Sequence, residues 1–238
     1  MKAGIISAGI GQRLAQEGIS VPKPLVTVGG EPMIARVIHA AARLKATSVA
    51  CIVNDLHPEV SDYLRSRSWP VPLELIVKTT ASSLESLFTI APLLDKEPFL
   101  LFTVDSIFPF EALERFSKEA AGMGDAAGVL ALTTHVDDEK PLWAGCDPCN
   151  RLIALGEKAR PTPYVTAGFY FFKPRVFEAM KTARERRLGA LRHFLSLLVE
   201  SGYPIYGVPV GKTVDVDTPE DIRKAEAYLK EIGEVKNA

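Results

Sequence analysis

The sequence predicts an α/β fold in which helices cover both faces of a mixed, mainly parallel central sheet, giving three α/β/α layers. Apolar runs alternate with amphipathic stretches through the first half of the 238-residue chain, as in strand–helix–strand units joined by right-handed crossovers. The continuous apolar run Pro98–Val104 is typical of a central strand buried on both faces. Beyond Ala126, short apolar segments follow one another through turns, which indicates some antiparallel pairing.

Residue periodicity defines the elements of the first half. Apolar residues at helical spacing predict a helix over Pro32–Leu44, and a more polar pattern predicts a surface helix over His57–Arg67. A third helix ends at Leu94, with Ser82 or Ser83 as its N-terminal cap. The predicted strands between these helices are Ala3–Ile6, Ser48–Val53, Val71–Val77 and Pro98–Val104.

The second half is predicted to begin with strands and to end with helices. Thr218 is a suitable cap for the last helix, because Pro219 would occupy its first position and acidic residues its first turn. We expect one domain over residues 1–238, with a first lobe at 1–130, a second at 131–218 and a C-terminal helix at 219–238. The predicted strands are Ala127–Thr133, Trp143–Cys146, Arg151–Leu155, Val165–Phe172 and Ile205–Val208, and the predicted helices before Thr218 are Pro174–Ala183 and Leu188–Ser201.

A glycine-containing loop follows the first strand. Gly9 and Gly11 allow the backbone N–H groups to approach a phosphate closely, and Arg13 and Lys23 add positive charge. Open α/β sheets bind ligands at the carboxyl ends of their strands, so this loop predicts a polyphosphate site. It lacks the third glycine of a dinucleotide-binding loop, because Leu14 stands there, and it is not a Walker loop.

Three motifs in order resemble the nucleotidyltransferase family that makes nucleoside diphosphate sugars. They are Ala8–Leu14, Pro22–Leu25 and Gly30–Ile34, and the resemblance extends over nearly the whole chain. It implies a Rossmann-like fold of the nucleotide-diphospho-sugar transferase (GT-A) type, with a nucleotide-binding first lobe and an acceptor-binding second lobe. It also implies that Arg13, Lys23 and Asp105 are catalytic. The nucleotide-binding residues that it implies are Ala8, Gly9, Gly11, Arg13, Lys23 and the base-contacting pair Ser82 and Ser83.

Acidic residues at two places suggest a magnesium site. Asp105 directly follows the buried strand Pro98–Val104, where it could hold Mg²⁺ or simply cap the next helix. The resemblance favours the metal, although Val104 stands where the family usually has glycine. It adds Asp215 and Asp217 from the closing motif, and alternation along a strand places both on one face. We favour Asp215 as the ligand and Asp217 as its partner.

Two further motifs are implied by the resemblance to bind the acceptor. The family uses residues that correspond to Glu157 and Gly168 on sugar hydroxyls and one that corresponds to Lys158 on the acceptor phosphate. Thr166 begins the matching strand motif Thr166–Tyr170. The alternative interpretations are a solvated charge pair for Glu157 and Lys158 and an ordinary core strand for Thr166–Tyr170.

These residues suit one Mg²⁺-dependent reaction, in which a sugar 1-phosphate attacks an NTP to give an NDP-sugar and pyrophosphate. The attacking phosphate oxygen is already anionic, so the chemistry needs alignment and charge neutralisation, not a general base. The alternatives are a cytidylyltransferase acting on phosphocholine or a polyol phosphate, a transferase for a cofactor such as molybdopterin, and a catalytically silent regulatory subunit. The presence of Lys23, Asp105 and Asp215 argues against the silent subunit.

Composition narrows the partners. A formal net charge of −1 argues against nucleic acid as a ligand. No apolar run is long enough to span a bilayer and no signal peptide is evident, so we expect a cytoplasmic enzyme without a membrane partner. Cys146 and Cys149 have the spacing of half a zinc site, but a turn is the better interpretation. The sequence allows a homo-oligomer and does not identify the base or the acceptor.

Overall fold

The structure is a computed structural model of the chain, and it describes residues 1–9, 12–136 and 140–235. In these residues the strands are β1 (Lys2–Ser7), β2 (Thr27–Val28), β3 (Glu31–Pro32), β4 (Val49–Val53), β5 (Leu73–Val77), β6 (Phe99–Thr103), β7 (Ser106–Ile107), β8 (Gly128–Thr133), β9 (Ala144–Cys146), β10 (Leu152–Leu155), β11 (Val165–Phe172), β12 (Ile205–Pro209) and β13 (Val214–Asp215). The helices are α1 (Gln12–Gln16), α2 (Met33–Arg43), α3 (Pro58–Arg65), α4 (Ser83–Leu94), α5 (Phe110–Gly122), α6 (Met180–Glu185), α7 (Leu191–Glu200) and α8 (Pro219–Glu231).

Seven of these strands form the central sheet, in the order β12-β8-β11-β6-β1-β4-β5. The pairs β1–β4, β1–β6, β4–β5 and β8–β12 are parallel, whereas β11 is antiparallel to both of its neighbours, β6 and β8. The predicted mixed, mainly parallel sheet is therefore confirmed, and β11 is its antiparallel strand.

Helices cover both faces of the sheet because the strand side chains alternate. In β1, Ala3 and Ile5 belong to the core that packs against α2, α3, α5 and α8. Ile6 belongs to the opposite core, which packs against α4, α6 and α7. In β6, Leu100 and Phe102 face the first core, and Phe99 and Leu101 face the second. The predicted three layers are confirmed.

The two predicted helix caps are also confirmed. The Ser82 hydroxyl accepts a hydrogen bond from the Glu85 backbone N–H (3.1 Å), which begins α4. Thr218 and Asp221 form a reciprocal capping box, with Pro219 at the first position of α8. These short side chains satisfy backbone N–H groups that the helix itself leaves unpaired.

The observed secondary structure differs from the prediction in a few short segments. The segment predicted as one helix over Pro174–Ala183 is a 3₁₀ helix, Pro174–Ala179, followed by α6. The first part has the tighter i to i+3 hydrogen bonding of a 3₁₀ helix, and α-helical bonding begins only at Met180. The helix α1 and the β2–β3 hairpin were not predicted, because each is too short to show a hydrophobic period.

A small two-stranded pairing brings the late acidic motif to the end of β6. Strand β13 pairs with β7, which places Asp215 opposite Ser106. One residue further on, the Val216 backbone N–H donates to the Asp105 carbonyl (3.0 Å). Residues separated by more than a hundred positions in the chain are thereby joined beside the carboxyl end of a central strand. Nowhere in the described part of the chain is a helix long and apolar enough to cross a membrane.

Candidate active site

Two adjoining cavities open at the carboxyl ends of β1 and β6. The first has a volume of about 540 Å³ and the second about 320 Å³, both of the size of small-molecule sites. The first is bounded by the end of β1, the turn at Lys23, the segment Thr80–Ser86 and the end of β6. The second is bounded by β7, β11 and β13. Both cavities are lined by Arg13, Thr103, Asp105 and Asp217.

Lys23 bonds the carboxylates of Asp105 and Asp217 at the junction of the two cavities. Its Nζ donates to Asp105 Oδ2 and to Asp217 Oδ1, each at 2.7 Å. The other oxygen of Asp217, Oδ2, accepts from Arg13 Nη1 at 2.9 Å. The Lys23 side chain is 13% exposed, whereas Asp105 and Asp217 are each 31% and Arg13 49% exposed, so the lysine is the most desolvated member of a partly buried ion cluster.

In this cluster the opposite charges of Lys23 and Asp105 stabilise each other's ionised form. Burial alone would lower the pKa of Lys23, but the charges and hydrogen bonds of Asp105 and Asp217 together raise it above its ordinary value. Burial would raise the pKa of Asp105, and the opposing charge and hydrogen bond of Lys23 hold it below its ordinary value. Both groups therefore remain ionised throughout the neutral pH range.

The predicted nucleotide-binding loop lies at the first cavity. Ala8 and Gly9 line it, Arg13 lines both cavities, and Gly11 lies outside the described residues. The Gly9 carbonyl accepts from Asn54 Nδ2 at 3.0 Å, which ties the loop to the end of the neighbouring strand β4. A Cβ added at Gly9 would meet no atom within 4 Å, so its surroundings are open on the cavity side.

Ser82 and Ser83 also line the first cavity, but the hydroxyl of each already accepts a hydrogen bond from a backbone N–H group. Ser82 caps α4, and the Ser83 hydroxyl accepts from the Leu191 backbone N–H at 3.0 Å. Beside them, the hydroxyls of Thr80 and Ser86 are 2.7 Å apart. Each of these hydroxyls can act as donor and acceptor, so the segment retains hydrogen-bonding capacity toward a ligand.

The second cavity contains only part of the predicted acceptor set. Thr166 and Gly168 line it, and Gly168 has a φ of +78°. A Cβ at Gly168 would lie 1.8 Å from Ser106 Oγ, so glycine is required there for β11 to pack against β7. Packing against β7 therefore explains why glycine stands at position 168, whether or not this segment binds an acceptor.

Glu157 and Lys158 are not among the residues that line the two cavities. Their side chains are 79% and 82% exposed, and Lys158 pairs with Glu200 (3.3 Å) while Glu157 pairs with Arg160 (3.4 Å). They lie in a 3₁₀ helix, Gly156–Ala159, directly after β10, and Glu200 is the last residue of α7. In this structure they form solvated charge pairs, and their contact with an acceptor stays a prediction.

Asp215 and Asp217 occupy different places, because β13 ends at Asp215 and Asp217 lies beyond the strand, so the predicted shared strand face is not observed. Asp217 lines both cavities and bonds Lys23, whereas Asp215 lines only the second. Asp215 Oδ1 accepts from Ser106 Oγ at 2.5 Å. Asp105 and Asp217 therefore share the Lys23 nitrogen, and which of the two late aspartates holds a metal stays a prediction.

Several lining residues were not singled out by the sequence analysis, although Thr80 and Ser86 lie beside the predicted pair Ser82 and Ser83, and Tyr170 ends the motif Thr166–Tyr170. The others carry no motif: Ser7, Thr103, Ser106 and Arg192. Strand-end position is the one signal that could have found some of them, because Ser7 and Thr103 end β1 and β6.

The chain is similar to known proteins over almost its whole length. Residues 2–232 match the model of a family described as nucleotidyl transferase. A UTP–glucose-1-phosphate uridylyltransferase of Haloferax volcanii is 26% identical over 240 residues, covering 97% of each chain. A probable mannose-1-phosphate guanylyltransferase of Oryza sativa subsp. japonica is 28% identical over 242 residues, covering 93% of this chain but only 62% of that protein.

The fold also matches a solved structure. The inositol-1-phosphate CTP transferase from T. maritima has a TM-score of 0.81 at 19% identity, covering 97% of this chain and 96% of that one. This match confirms the predicted fold type.

Proposed function

This chain belongs to the nucleotidyl transferase family, and on that basis we propose that its two adjoining cavities hold the two substrates of one transfer reaction. The chain is a nucleotidyltransferase. The first cavity binds an NTP, and the second binds a sugar 1-phosphate or a related phosphorylated alcohol. The acceptor phosphate oxygen attacks the α-phosphorus, the bond between the α-phosphorus and the bridging oxygen breaks, and pyrophosphate leaves.

The observation that carries this proposal is the ion cluster where the cavities meet. A reaction between two phosphorylated substrates needs positive charge at the junction and donors toward each substrate. Lys23, on the first cavity, and Arg13, on both, supply that charge. In the free protein Asp105 and Asp217 pair with these cations and keep them at the junction of the cavities.

The same residues act in sequence as the reaction proceeds. Arg13 binds the anionic triphosphate through its planar donor group. Lys23 neutralises the α-phosphate and the approaching acceptor phosphate, so that two anions can come within bonding distance. No side chain has to remove a proton, because the attacking oxygen is already ionised.

Mg²⁺ fits this donor set. Asp105 and Asp217 lie close enough together to hold one cation, since both bond the Lys23 nitrogen at 2.7 Å, and carboxylate oxygens are ligands that Mg²⁺ prefers. The ion would take the place of the Lys23 ammonium between them, which frees Lys23 to bind the phosphates. In the described residues no group of three His, Cys, Asp or Glu could hold a metal, so phosphate oxygens and water would complete the coordination. When bound, Mg²⁺ neutralises charge on the phosphates. Asp105 and Asp217 would hold it.

A substrate panel tests the proposed function. Pyrophosphate release is measured with Mg²⁺ for UTP, GTP, CTP, ATP and dTTP, each with glucose 1-phosphate, mannose 1-phosphate, inositol 1-phosphate and phosphocholine. We expect one NTP and one sugar 1-phosphate to exceed every other pair. Turnover only with inositol 1-phosphate or phosphocholine would move the acceptor to the alcohol phosphates, and no pyrophosphate release in any pair would contradict the proposal.

The two late aspartates should differ in their effects. Asp217→Asn should weaken Mg²⁺-dependent activity more than Asp215→Asn, because Asp217 shares the Lys23 nitrogen with Asp105. Asp215 lines only the acceptor cavity, so Asp215→Asn should mainly raise the acceptor KM. Titrating Mg²⁺ at fixed substrate measures both variants. A greater Mg²⁺ requirement in Asp215→Asn than in Asp217→Asn would restore the order expected from the sequence.

Glu157 and Lys158 should have little effect on acceptor binding. Glu157→Ala and Lys158→Ala are expected to leave the acceptor KM within about twofold of wild type, because exposed pairs away from the site contribute little. Steady-state kinetics with varied acceptor checks this. A large rise in acceptor KM with an unchanged NTP KM would show that this segment moves into the site when substrate binds.

A further inference from the structure

A third cavity lies apart from the two cavities of the candidate active site. Its volume is about 420 Å³, a size that suits a small molecule, and among the described residues it shares none of its lining with the other two. It is bounded by α2, by the residues around the start of α5 and by the segment that follows α8. Its lining includes charged and aromatic side chains that the proposed reaction does not use: Glu31, Arg36, His39, Arg43, Phe110 and Glu234.

Helix α2 presents three basic side chains to this cavity along one face. Arg36, His39, Ala40 and Arg43 follow the spacing i, i+3, i+4 and i+7, which places them on the same side of the helix. Ala40 has only a methyl group as its side chain, so it leaves a hollow in the middle of this face. The hollow is flanked by Arg36 on one side and by Arg43 on the other, each about one helical turn away.

The Arg36 guanidinium is largely buried but poorly hydrogen-bonded. Its side chain is 14% exposed, and its two contacts with Glu234 are long, 3.4 Å from Nη2 to the backbone carbonyl and 3.6 Å from Nη1 to Oε2. Hydrogen bonds from nitrogen to oxygen usually measure about 2.7–3.2 Å. The Arg36 Nε has no hydrogen-bond partner among the described residues. Because a buried donor without an acceptor costs free energy, this guanidinium has unused capacity for an anion.

The Arg43 guanidinium is held in place by an aromatic ring. Its central carbon lies 3.5 Å from the centroid of the Phe110 ring, and this stacking fixes the plane of its donors. Arg43 forms no ion pair with any residue that the structure describes. It can therefore meet an anion without giving up another charged partner.

The carboxylates of this cavity are engaged at its walls. Glu234 Oε1 accepts from the Phe110 backbone N–H at 2.7 Å, and Glu31 Oε1 lies 2.5 Å from His39 Nδ1. Glu111 is exposed in the first turn of α5. Glu234 indicates which kind of group the cavity holds, because its carboxylate is met there by a backbone N–H and by an arginine.

We propose that the third cavity is a second ligand site, which binds a small organic anion through a carboxylate or phosphate group. The anionic group lies over Ala40, between the two arginines, whose planar donor groups match its oxygen atoms. The apolar part of the ligand packs against Phe108, Ile232 and Val235, which also line the cavity. Binding at this site does not depend on the reaction proposed for the other two cavities.

Two substitutions should change binding in opposite directions. Arg43→Gln should weaken it by roughly tenfold or more, because a hydrogen bond to a charged group is lost. Arg43 is exposed, so the protein should remain folded. Glu234→Gln should strengthen binding by roughly two- to fivefold, because it removes the negative charge that competes with the ligand for Arg36 and keeps the shape of the side chain.

Arg65→Gln is the matched control. It removes the same charge from an exposed position in the last turn of α3, and Arg65 does not line the cavity. This variant should leave binding unchanged.

Trp69 fluorescence measures binding at this cavity. The centroid of the Trp69 ring lies 5.6 Å from that of His39, which lines the cavity. Trp143 is the other tryptophan of the chain, so Trp143→Phe is included in every variant. Phenyl phosphate, benzoate and inorganic phosphate are titrated into the full chain without Mg²⁺ or nucleotide. We expect a saturable change with at least one of the two organic anions, and the tighter of them identifies the preferred anionic group. Inorganic phosphate should bind at least about tenfold more weakly than phenyl phosphate, because it has no apolar part to bury.

A structural role alone, in which these ion pairs only fix the segment after α8, predicts no saturable change with either organic anion, and that result would overturn the inference. Equal affinities in Arg43→Gln and Arg65→Gln would also overturn it, as would weaker binding in Glu234→Gln. Inorganic phosphate that binds as tightly as phenyl phosphate would contradict the assignment of an organic ligand.

Discussion

Lys23→Ala is expected to lower kcat by a factor on the order of 10²–10³ while leaving the protein folded. Lys23 is the cation that joins Asp105 and Asp217 at the junction of the two cavities. Its removal leaves two carboxylates facing each other and takes away the charge that neutralises the reacting phosphates. The carboxylates are each 31% exposed, so water offsets part of the repulsion and the loss of stability should stay modest.

Pyrophosphate release at saturating substrates measures the effect of Lys23→Ala, with thermal melting followed by circular dichroism. Lys118→Ala is the matched control, because Lys118 is 75% exposed on α5 and pairs only along its own helix, with Glu114. The control should keep wild-type turnover. Near-normal pyrophosphate release by Lys23→Ala would remove Lys23 from the chemistry.

Asp105→Asn is expected to abolish Mg²⁺-dependent turnover to below about a hundredth of wild type. The amide keeps the shape of the side chain but loses the charge that both Lys23 and a metal ion require. The backbone should be unaffected, because the Asp105 carbonyl still accepts from the Val216 N–H.

Titration of Mg²⁺ distinguishes a metal role of Asp105 from a purely local one. If Asp105 holds the ion, raising the Mg²⁺ concentration should not restore the activity of Asp105→Asn to the wild-type maximum. Asp62→Asn, on the exposed face of α3, serves as the control for loss of one carboxylate. An unchanged Mg²⁺ requirement and an activity close to wild type would contradict a role for Asp105 in holding the metal.

Much of the fold could be predicted because its signals are local. Strand β11 was predicted with its observed bounds, Val165–Phe172, since a run of apolar and aromatic residues is visible in the sequence itself. The caps of α4 and α8 were predicted from short polar side chains next to helical patterns. What could not be predicted was where β11 sits: it pairs between β6 and β8.

The candidate site was predictable where a sequence motif marks it. Ala8, Gly9 and Asp105 combine a motif with a strand end, and the structure brings them to one cavity with Lys23, whose motif lies in a short 3₁₀ helix. Glu157 and Lys158 matched a motif but not a strand end of the central sheet. They lie in a 3₁₀ helix after β10 and form exposed ion pairs with Glu200 and Arg160, so their role toward an acceptor stays a prediction.

By itself, the sequence determined the α/β class, the glycine loop after the first strand and the family, because each depends on residues within a few positions of one another. Tertiary structure alone decided which distant side chains meet. Pairing of β13 with β7 brings Asp217 to Lys23, across an interval of 194 residues, and leaves Asp215 at the second cavity. Which distant side chains meet depends on the order of the strands in the sheet and on which strand pairings are the most stable. Neither of these leaves a periodic pattern in the sequence.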